Sequence, residues 1–308
     1  MRIARFSLMI PLVLIPVLAS AQGQGLRDRW RERIAQRMEQ RMEEPPAPGA
    51  TEYSYGKEPL QTLDFWPGAG PTAPLVVFVH GGAWKAGDKR SATGALKVEH
   101  WRAAGYAVAS LDYRLVPAVP VEHSAQDVAD AVGWLRAQAA TLHVDPNRIV
   151  LVGHSAGAHL VALVSTDTRH YLDDARVPLS AVRGAVLLDG AAYDVAAQMK
   201  DGGRPMQATY DQVFGGFEPR QEDLSPTLHA ATSPNVAAFL ILHVQRPDGI
   251  RQSEGLAAAL RKAGADVEIR GFPGEGLKGH MEINRQLGDP AYPATPVVDA
   301  WLAARFAR

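Results

Sequence analysis

A serine between two glycines carries the first chemical signal in the sequence. Residues 153–157 read Gly-His-Ser-Ala-Gly, with an apolar run before them and helix-forming residues after them. Such a pattern is typical of a sharp strand-to-helix turn, where the glycines let the two elements cross closely and leave the serine exposed. The turn also lies at a helix N-terminus, which favours negative charge. Ser155 is therefore the predicted nucleophile; an ordinary glycine-rich turn is the alternative.

A serine hydroxyl needs a base to take its proton, and chain order selects one histidine of the ten. The base is expected on a late loop, because the carboxyl edge of a parallel sheet collects loops from distant strands. Only His280 follows the last predicted strand, in residues 276–281, which we interpret as a flexible loop before a helical segment. His280 is the predicted base, the alternative being a surface histidine without a role.

The base needs a carboxylate to orient it, and the order serine, acid, histidine favours an aspartate after the strand that ends near His243. Asp248 is the predicted acid, on a turn at that position. Aspartates are also common in turns for structural reasons alone. Asp189, which ends the preceding strand, is the substitute, and Glu254 is a weaker candidate because it falls inside a predicted helix.

Hydrolysis also requires donors for the negative charge that develops on the substrate oxygen. The backbone amide of Ala156, directly after the nucleophile, is one predicted donor. The others are expected after the third predicted strand, where Gly81 and Gly82 allow amides to turn inward and Ala83 can still donate. Trp84 could form the wall of an acyl pocket, although packing into the core is the favoured role.

The rest of the chain predicts the sheet that would hold these residues. Strand patterns cover residues 52–55, 61–65, 73–79, 107–113, 149–152, 184–188, 237–243 and 266–270, and helical patterns cover 96–104, 125–140, 252–263 and 296–306. Strands that alternate with helices form right-handed crossovers and a parallel sheet covered on both faces. Residues 191–235 form a long insertion between two core strands, and such connections are usually functional.

The N-terminal segment predicts export. Residues 1–21 contain two arginines and a short apolar core before small residues, as in a secretory signal peptide cleaved after Ala21. A single anchoring helix is the alternative. Residues 22–50 are predicted to form a charged helix and a proline-rich linker, and we interpret them as a spacer rather than a docking element. Residues 51–308 are predicted to form the folded domain. We expect a secreted or periplasmic protein without stable membrane insertion after cleavage.

Composition excludes several classes of function. The chain has 308 residues, 46% hydrophobic and 21% charged, with a formal net charge of −1. This balance gives no electrostatic reason to expect a nucleic acid partner. Cysteine is absent, which excludes thiolate catalysis and cysteine-ligated metals. The sequence does not determine an oligomeric state.

Five motifs in this order make the chain resemble an α/β-hydrolase, and more narrowly carboxylesterases of the hormone-sensitive-lipase and feruloyl-esterase-like groups. They are His80-Gly81-Gly82-Ala83-Trp84, Gly87-Asp88-Lys89, Leu111-Asp112-Tyr113-Arg114-Leu115, Gly153-His154-Ser155-Ala156-Gly157 and His280-Met281-Glu282-Ile283-Asn284. The resemblance implies the α/β-hydrolase fold: a mostly parallel eight-stranded sheet flanked by helices, with an insertion after the sixth strand. It also implies a triad of Ser155, Asp248 and His280, the oxyanion donors named above, and no cofactor or metal.

Two departures from the family pattern concern the site. Relatives often carry His-Gly-x-x-Asp after the seventh strand, whereas residues 243–248 read His-Val-Gln-Arg-Pro-Asp, which leaves the position of the acid open. Ala83 replaces a third glycine that is common in lipase relatives, and the oxyanion role should tolerate it.

The hypothesis is a serine esterase that cleaves a small-molecule ester through an acyl-enzyme. Two alternatives remain open at this stage. The same residues could cleave an amide, as formamidases and peptidases of this fold do, or the chain could be a catalytically inactive hydrolase fold used for binding.

Overall fold

The structure is a computed structural model that describes residues 47–90, 94–166, 170–201, 203–232 and 236–307. The predicted signal peptide, residues 1–21, and nearly all of the predicted charged helix and linker lie outside the described residues. Among the residues that are described, no helix combines the length and the hydrophobicity that a membrane span requires.

Eight strands form one sheet in the order β1-β2-β4-β3-β5-β6-β7-β8. Their bounds are β1 Thr51–Ser54, β2 Thr62–Trp66, β3 Ala73–Val79, β4 Ala107–Leu111, β5 Val144–His154, β6 Val182–Leu188, β7 Ala238–Gln245 and β8 Asp266–Glu275. The pairs β1 with β2 and β2 with β4 are antiparallel, and all the remaining pairs are parallel. The predicted eight-stranded, mostly parallel sheet is confirmed, with a mixed rather than purely parallel arrangement.

The helices occupy the connections between strands and the C-terminal end. They are α1 Ala95–Ala103, α2 Val121–Ala137, α3 Ala139–Leu142, α4 Ala156–Ser165, α5 Tyr171–Asp174, α6 Val195–Asp201, α7 Gly203–Phe214, α8 Glu218–Asp223, α9 Pro226–His229, α10 Pro247–Lys262, α11 Gly276–Arg285 and α12 Ala294–Phe306. Helices α6 to α9 lie between β6 and β7, so the predicted insertion follows the sixth strand.

The central strands are apolar on both faces because helices cover both sides of the sheet. Side chains alternate along a strand, so Val77 faces one hydrophobic core while Val76 and Phe78 face the other. The first core includes residues of α2 and α4, and the second includes residues of α1 and α12. This double layer fixes the carboxyl ends of β3, β5 and β6 side by side, where the predicted chemistry lies.

Three aromatic residues of the insertion belong to the core. Tyr193, Tyr210 and Phe214 are at most 4% exposed and pack in the first core. Burial of side chains this large contributes roughly 2 to 3 kcal/mol each to folding. The segment is therefore fixed on the sheet, with α7 held beside the loop that follows β3.

Candidate active site

Ser155 lies at the turn between β5 and α4, at the position that the sequence predicts. Its backbone has φ 55° and ψ −119°, a conformation that residues other than glycine rarely adopt. A Cβ on Gly157 would collide with the carbonyl oxygens of Val79 and His80, and one on Gly153 would collide with the carbonyl oxygen of Gly157. The two glycines therefore let strand and helix approach closely and present Ser155 at the tip.

His280 places an imidazole beside that hydroxyl. Its Nε2 atom lies 2.9 Å from Oγ of Ser155, across a sequence separation of 125 residues. His280 is 8% exposed and lies inside α11, which begins at Gly276, so the predicted flexible loop is wrong. The chain passes directly from β8 into this helix. A neutral imidazole that carries its proton on Nδ1 can accept the serine proton at Nε2.

The carboxylate that binds His280 is Asp189. Its Oδ2 atom lies 2.6 Å from Nδ1 of His280, at a distance typical of a strong, charge-assisted hydrogen bond. Asp189 follows β6 directly and has φ 45°, a left-handed backbone that aspartate tolerates better than most residues. The side chain has no exposed surface. Asp189, the substitute for Asp248 in the sequence analysis, therefore orients the imidazole and fixes its proton on Nδ1.

Two groups besides His280 control the charge of Asp189. The amide of Val244 donates to Oδ1 at 3.1 Å, and Nε of Arg246 donates to Oδ2 at 2.8 Å. Burial alone would raise the pKa of Asp189. The hydrogen bond and the charge of His280, the charge of Arg246 and the Val244 amide outweigh it and hold that pKa well below the ordinary value. Asp189 is therefore an anion throughout the neutral pH range.

Asp248, the predicted acid, does not bind His280, and this prediction is contradicted. Its Oδ2 atom lies 3.3 Å from Nε2 of Gln198 and 3.7 Å from Nη1 of Arg246. The physical reason is that α10 begins at Pro247, so Asp248 belongs to the first turn of a helix rather than to a loop. A carboxylate there is favoured by the helix dipole without any catalytic role.

The loop after β3 lies against the serine turn. A Cβ on Gly81 would lie 3.1 Å from Cβ of Ser155. Gly82, Ala83 and Trp84 follow with φ of 112°, 53° and 61°, which is three successive left-handed residues. Successive amides in such turns form concavities that bind anions.

The four predicted oxyanion residues are therefore distributed over two turns that adjoin Ser155. Gly81, Gly82 and Ala83 belong to the loop after β3, and Ala156 is the first residue of α4. The amide of a first helical residue has no partner within its own helix and is free to bind an oxyanion. The role of all four as donors remains a prediction.

The loop after β3 is held by residues from the recognised motifs. The ring of His80 stacks on Tyr113 at 4.2 Å, and the Tyr113 hydroxyl donates to the carbonyl oxygen of His80 at 2.9 Å. Further along, the Lys89 amide and ammonium both donate to the carboxylate of Asp112, at 2.7 and 2.8 Å. Burial raises the pKa of Tyr113, so its hydroxyl stays a donor. These contacts fix both ends of the loop.

Trp84 packs into the core, as favoured from the sequence. It is 1% exposed, its indole N–H donates to Nδ1 of His159 at 3.2 Å, and its ring meets Phe214 at 4.8 Å. Burial lowers the pKa of His159 to about 4, so this imidazole is neutral. His159 can then donate from Nε2 to the carbonyl oxygen of Leu224 at 2.9 Å. The contacts join the loop after β3 to the insertion.

His154 is a site residue that sequence reasoning missed. Its Nε2 donates to the carbonyl oxygen of His280 at 2.9 Å, and the two rings lie 4.6 Å apart. Burial, and then the charge of His280, hold the pKa of His154 well below its ordinary value. Its position directly before Ser155 in the chain was the one available signal. A neutral His154 thus ties the base-bearing helix to the serine turn.

The described residues contain no group of three or more histidines, aspartates or glutamates arranged to hold a metal ion. The contacts that they do show form one chain of hydrogen bonds, from the hydroxyl of Ser155 through the imidazole of His280 to the carboxylate of Asp189. Such an arrangement can activate a hydroxyl as a nucleophile and return its proton to a leaving group.

The sheet order and the serine turn together are those of the α/β-hydrolase fold. Comparison with known proteins agrees: residues 65–192 match the BD-FAE family model. Esterase B from Lactobacillus Rhamnosis shares this fold, with a TM-score of 0.69 and 22% sequence identity, covering 94% of this chain and 93% of that one.

Two comparisons reach higher identity. The chain is similar to esterase LipC of Mycobacterium tuberculosis, with 31% identity over 204 residues, or 62% of this chain and 49% of LipC. The chain thus spans about half the length of that relative. It is also similar to esterase 2 of Thermogutta terrifontis in its butyrate-bound structure, with 27% identity and a TM-score of 0.65, covering 83% of this chain and 94% of that one.

Proposed function

We propose that the protein is a serine carboxylesterase in which Ser155, His280 and Asp189 form the catalytic triad. The observation that carries the proposal is the pair of contacts at His280, 2.9 Å from the serine hydroxyl and 2.6 Å from a buried carboxylate. The similarity to LipC and to the Thermogutta terrifontis esterase supports ester hydrolysis as the reaction.

In the proposed reaction, Oγ of Ser155 attacks the ester carbonyl carbon while its proton passes to Nε2 of His280. The carbonyl oxygen takes up the electron pair as an oxyanion. Collapse of this intermediate breaks the bond to the alcohol oxygen, which receives the proton from Nε2, and leaves an acyl group on Ser155. Water then attacks the acyl carbon while its proton passes to Nε2 of His280. Collapse of this second intermediate breaks the bond to Oγ of Ser155, which takes the proton back, and the carboxylic acid product is released. Asp189 holds Nδ1–H throughout and stabilises the imidazolium without taking the proton.

The oxyanion would be bound by backbone amides from the two turns that adjoin Ser155. Ala156 supplies one amide, and Gly82 and Ala83 supply the others, with Gly81 setting the approach of the loop. Each such donor is typically worth about 3 kcal/mol of barrier, because it is aligned before the charge develops.

The substrate class that we propose is small carboxylic esters with a short acyl chain. One neighbour was solved with butyrate, and esterase B was solved with a tributyrin phosphonate. The buried ring of Trp84 and the rings of Tyr210 and Phe214 in the insertion fill space beside the loop after β3, which supports a short pocket. We also propose export through residues 1–21, to be checked by N-terminal sequencing of the exported protein.

Labelling with a short alkyl fluorophosphonate tests the proposed chemistry, because this probe bonds covalently only to an activated serine. We expect one adduct per chain, mapped by mass spectrometry to the peptide that contains Ser155, and none in Asp189→Asn or His280→Gln. Parallel assays with matched p-nitrophenyl ester and anilide substrates should favour the ester. Failure of the native protein to react would favour a binding module, and faster anilide cleavage would favour an amidase.

A further inference from the structure

Arg246 occupies an unusual place, because it shares one carboxylate oxygen with the imidazole of the proposed base. Its Nε donates to Oδ2 of Asp189 at 2.8 Å, and Nδ1 of His280 lies 2.6 Å from the same oxygen. The two donor nitrogens therefore lie within about 6 Å of each other, a range at which partly buried charges interact strongly. The Arg246 side chain is 17% exposed and that of Asp189 is 0% exposed, so water screens this interaction poorly.

The guanidinium also holds the backbone of the turn that carries the acid. Its Nη2 atom lies 3.3 Å from the carbonyl oxygen of Asp189 and 3.4 Å from that of Gly190. Asp189 has a left-handed backbone, so these contacts restrain a conformation that would otherwise be costly. A guanidinium suits this arrangement because its donors form a planar fork that can reach a carboxylate and two carbonyl oxygens at once.

A third charge balances the arginine. Oδ2 of Asp248 lies 3.7 Å from Nη1 of Arg246, with 27% of the Asp248 side chain exposed. Negative and positive charges therefore alternate along Asp189, Arg246 and Asp248, and His280 adds a positive charge beside Asp189 when it is protonated. An isolated carboxylate beside an imidazole favours the protonated imidazolium, whereas a cation on the same carboxylate opposes it.

We propose that Arg246 is a positioning residue that holds Asp189 in place for His280 and offsets part of the negative charge that Asp189 presents to the imidazole. Asp248 acts in the opposite direction, through Arg246 and more weakly, because it is farther away and better solvated. A rate measurement of this role rests on the proposed function, because it needs ester hydrolysis. A direct titration of the imidazole does not.

The other titratable and charged groups near this row come from several elements. They are His154 at the end of β5, Lys97 in α1, Tyr193 after β6, Tyr210 in α7, Glu282 in α11 and Tyr292. Burial raises the pKa of Tyr210 and of Tyr292 to about 12 and that of Tyr193 further, while His154 stays neutral, so these four do not change charge near neutral pH. Lys97 and Glu282 are unchanged in all the variants that are compared, so their electrostatic contributions cancel.

The test compares Arg246→Gln, Arg246→Lys and Asp248→Asn with the native protein by two measurements. One is the pH profile of kcat/KM for a short p-nitrophenyl ester, and the other is an NMR titration of the His280 imidazole, assigned with His280→Gln. Arg251→Gln is the matched control, because Arg251 lies in the same helix and its guanidinium binds the exposed carboxylate of Asp201.

Removal of the cation in Arg246→Gln should move the acidic midpoint up by about one pH unit, by both measurements. Arg246→Lys keeps the charge but loses the fork, so its midpoint should stay near the native value while the plateau of kcat/KM falls several-fold. Asp248→Asn should move the midpoint down by a few tenths of a pH unit, with roughly the native plateau. Arg251→Gln should change neither quantity.

Unchanged midpoints in both Arg246→Gln and Asp248→Asn would overturn the proposal, because a purely structural arginine would lower the rate equally at every pH. Should Arg246→Gln fail to fold, Asp248→Asn is decisive: a downward shift of its midpoint supports the proposal, and an unchanged midpoint overturns it. If the native protein hydrolyses no ester, the proposed function fails, but the imidazole titration still tests the charge coupling.

Discussion

Two neighbouring strands, β6 and β7, end at the same edge of the sheet in very different ways. After β6 the chain makes a strained turn at Asp189, whose carboxylate is fully buried and bound by His280, Val244 and Arg246. After β7 it enters α10 within two residues, and Asp248 lies in the regular first turn of that helix. Two aspartates that each follow a strand therefore have different partners: Asp189 binds His280, and Asp248 faces Gln198 and Arg246.

Sheet order explains the difference. Strand β6 pairs directly with β5, which carries Ser155 at its end, whereas β7 lies one strand farther away. The turn after β6 is also fixed on several sides, since the amide of Asp189 donates to the carbonyl oxygen of Leu242 at 2.7 Å. Val244 near the end of β7 and Arg246 just after it support that turn, through a backbone amide and a guanidinium. The carboxylate that binds His280 therefore lies in the strained turn after β6, and the two groups that hold it lie at the end of β7 and just after it.

The largest expected difference between the two regions appears when each aspartate is neutralised separately. Asp189→Asn should lower kcat/KM for a short p-nitrophenyl ester by about 10³- to 10⁴-fold, because an amide can leave the imidazole with its proton on the wrong nitrogen. Asp248→Asn, in the same assay above pH 8, should lower it less than about threefold, since its carboxylate only faces Gln198 and Arg246.

Circular dichroism and thermal melting of both variants serve as the control for folding. If the two losses were reversed, with Asp248→Asn inactive and Asp189→Asn active, Asp248 would be the acid and the arrangement described for Asp189 would be wrong.

A smaller effect on stability distinguishes the serine turn from α10. One methyl group is added to a glycine in each. Gly157→Ala should destabilise the protein by roughly 3 kcal/mol or more, because the new Cβ meets the carbonyl oxygens of Val79 and His80. In α10, Gly255 has nothing within 4 Å of its position for a Cβ. Gly255→Ala should therefore stabilise by about 0.5 to 1 kcal/mol, through helix propensity.

Chemical denaturation of the two variants against the native protein measures both changes. Equal stabilities for Gly157→Ala and the native protein would mean that the serine turn is less tightly packed than its contacts indicate.

Local patterns were sufficient to predict most of the fold and two of the three residues that the structure joins by hydrogen bonds. Ser155 is flanked by glycines with a clear steric purpose, and His280 is the last histidine in the chain, after the last strand. The acid was harder, because Arg246-Pro247-Asp248 is compatible with a turn and equally with the start of a helix. Which strand lies beside the serine strand is a property of the sheet order, and the spacing along the chain does not contain it.

The supporting contacts could not be predicted, because they join distant segments. His154 and His280 are 126 residues apart, and Arg246 and Asp189 are 57 residues apart. A histidine within the serine motif and an arginine before a helix have many ordinary roles in sequence. Only the packed structure shows that both side chains converge on the imidazole and on its carboxylate.

The central claim is that Oγ of Ser155 is the nucleophile, and the most direct measurement is kcat/KM of Ser155→Ala for a short p-nitrophenyl ester, with folding verified by thermal melting. We expect a loss of roughly 10⁴-fold or more, with a fold that survives, because the substitution removes the hydroxyl that His280 contacts. Undiminished turnover by a folded Ser155→Ala protein would contradict the account.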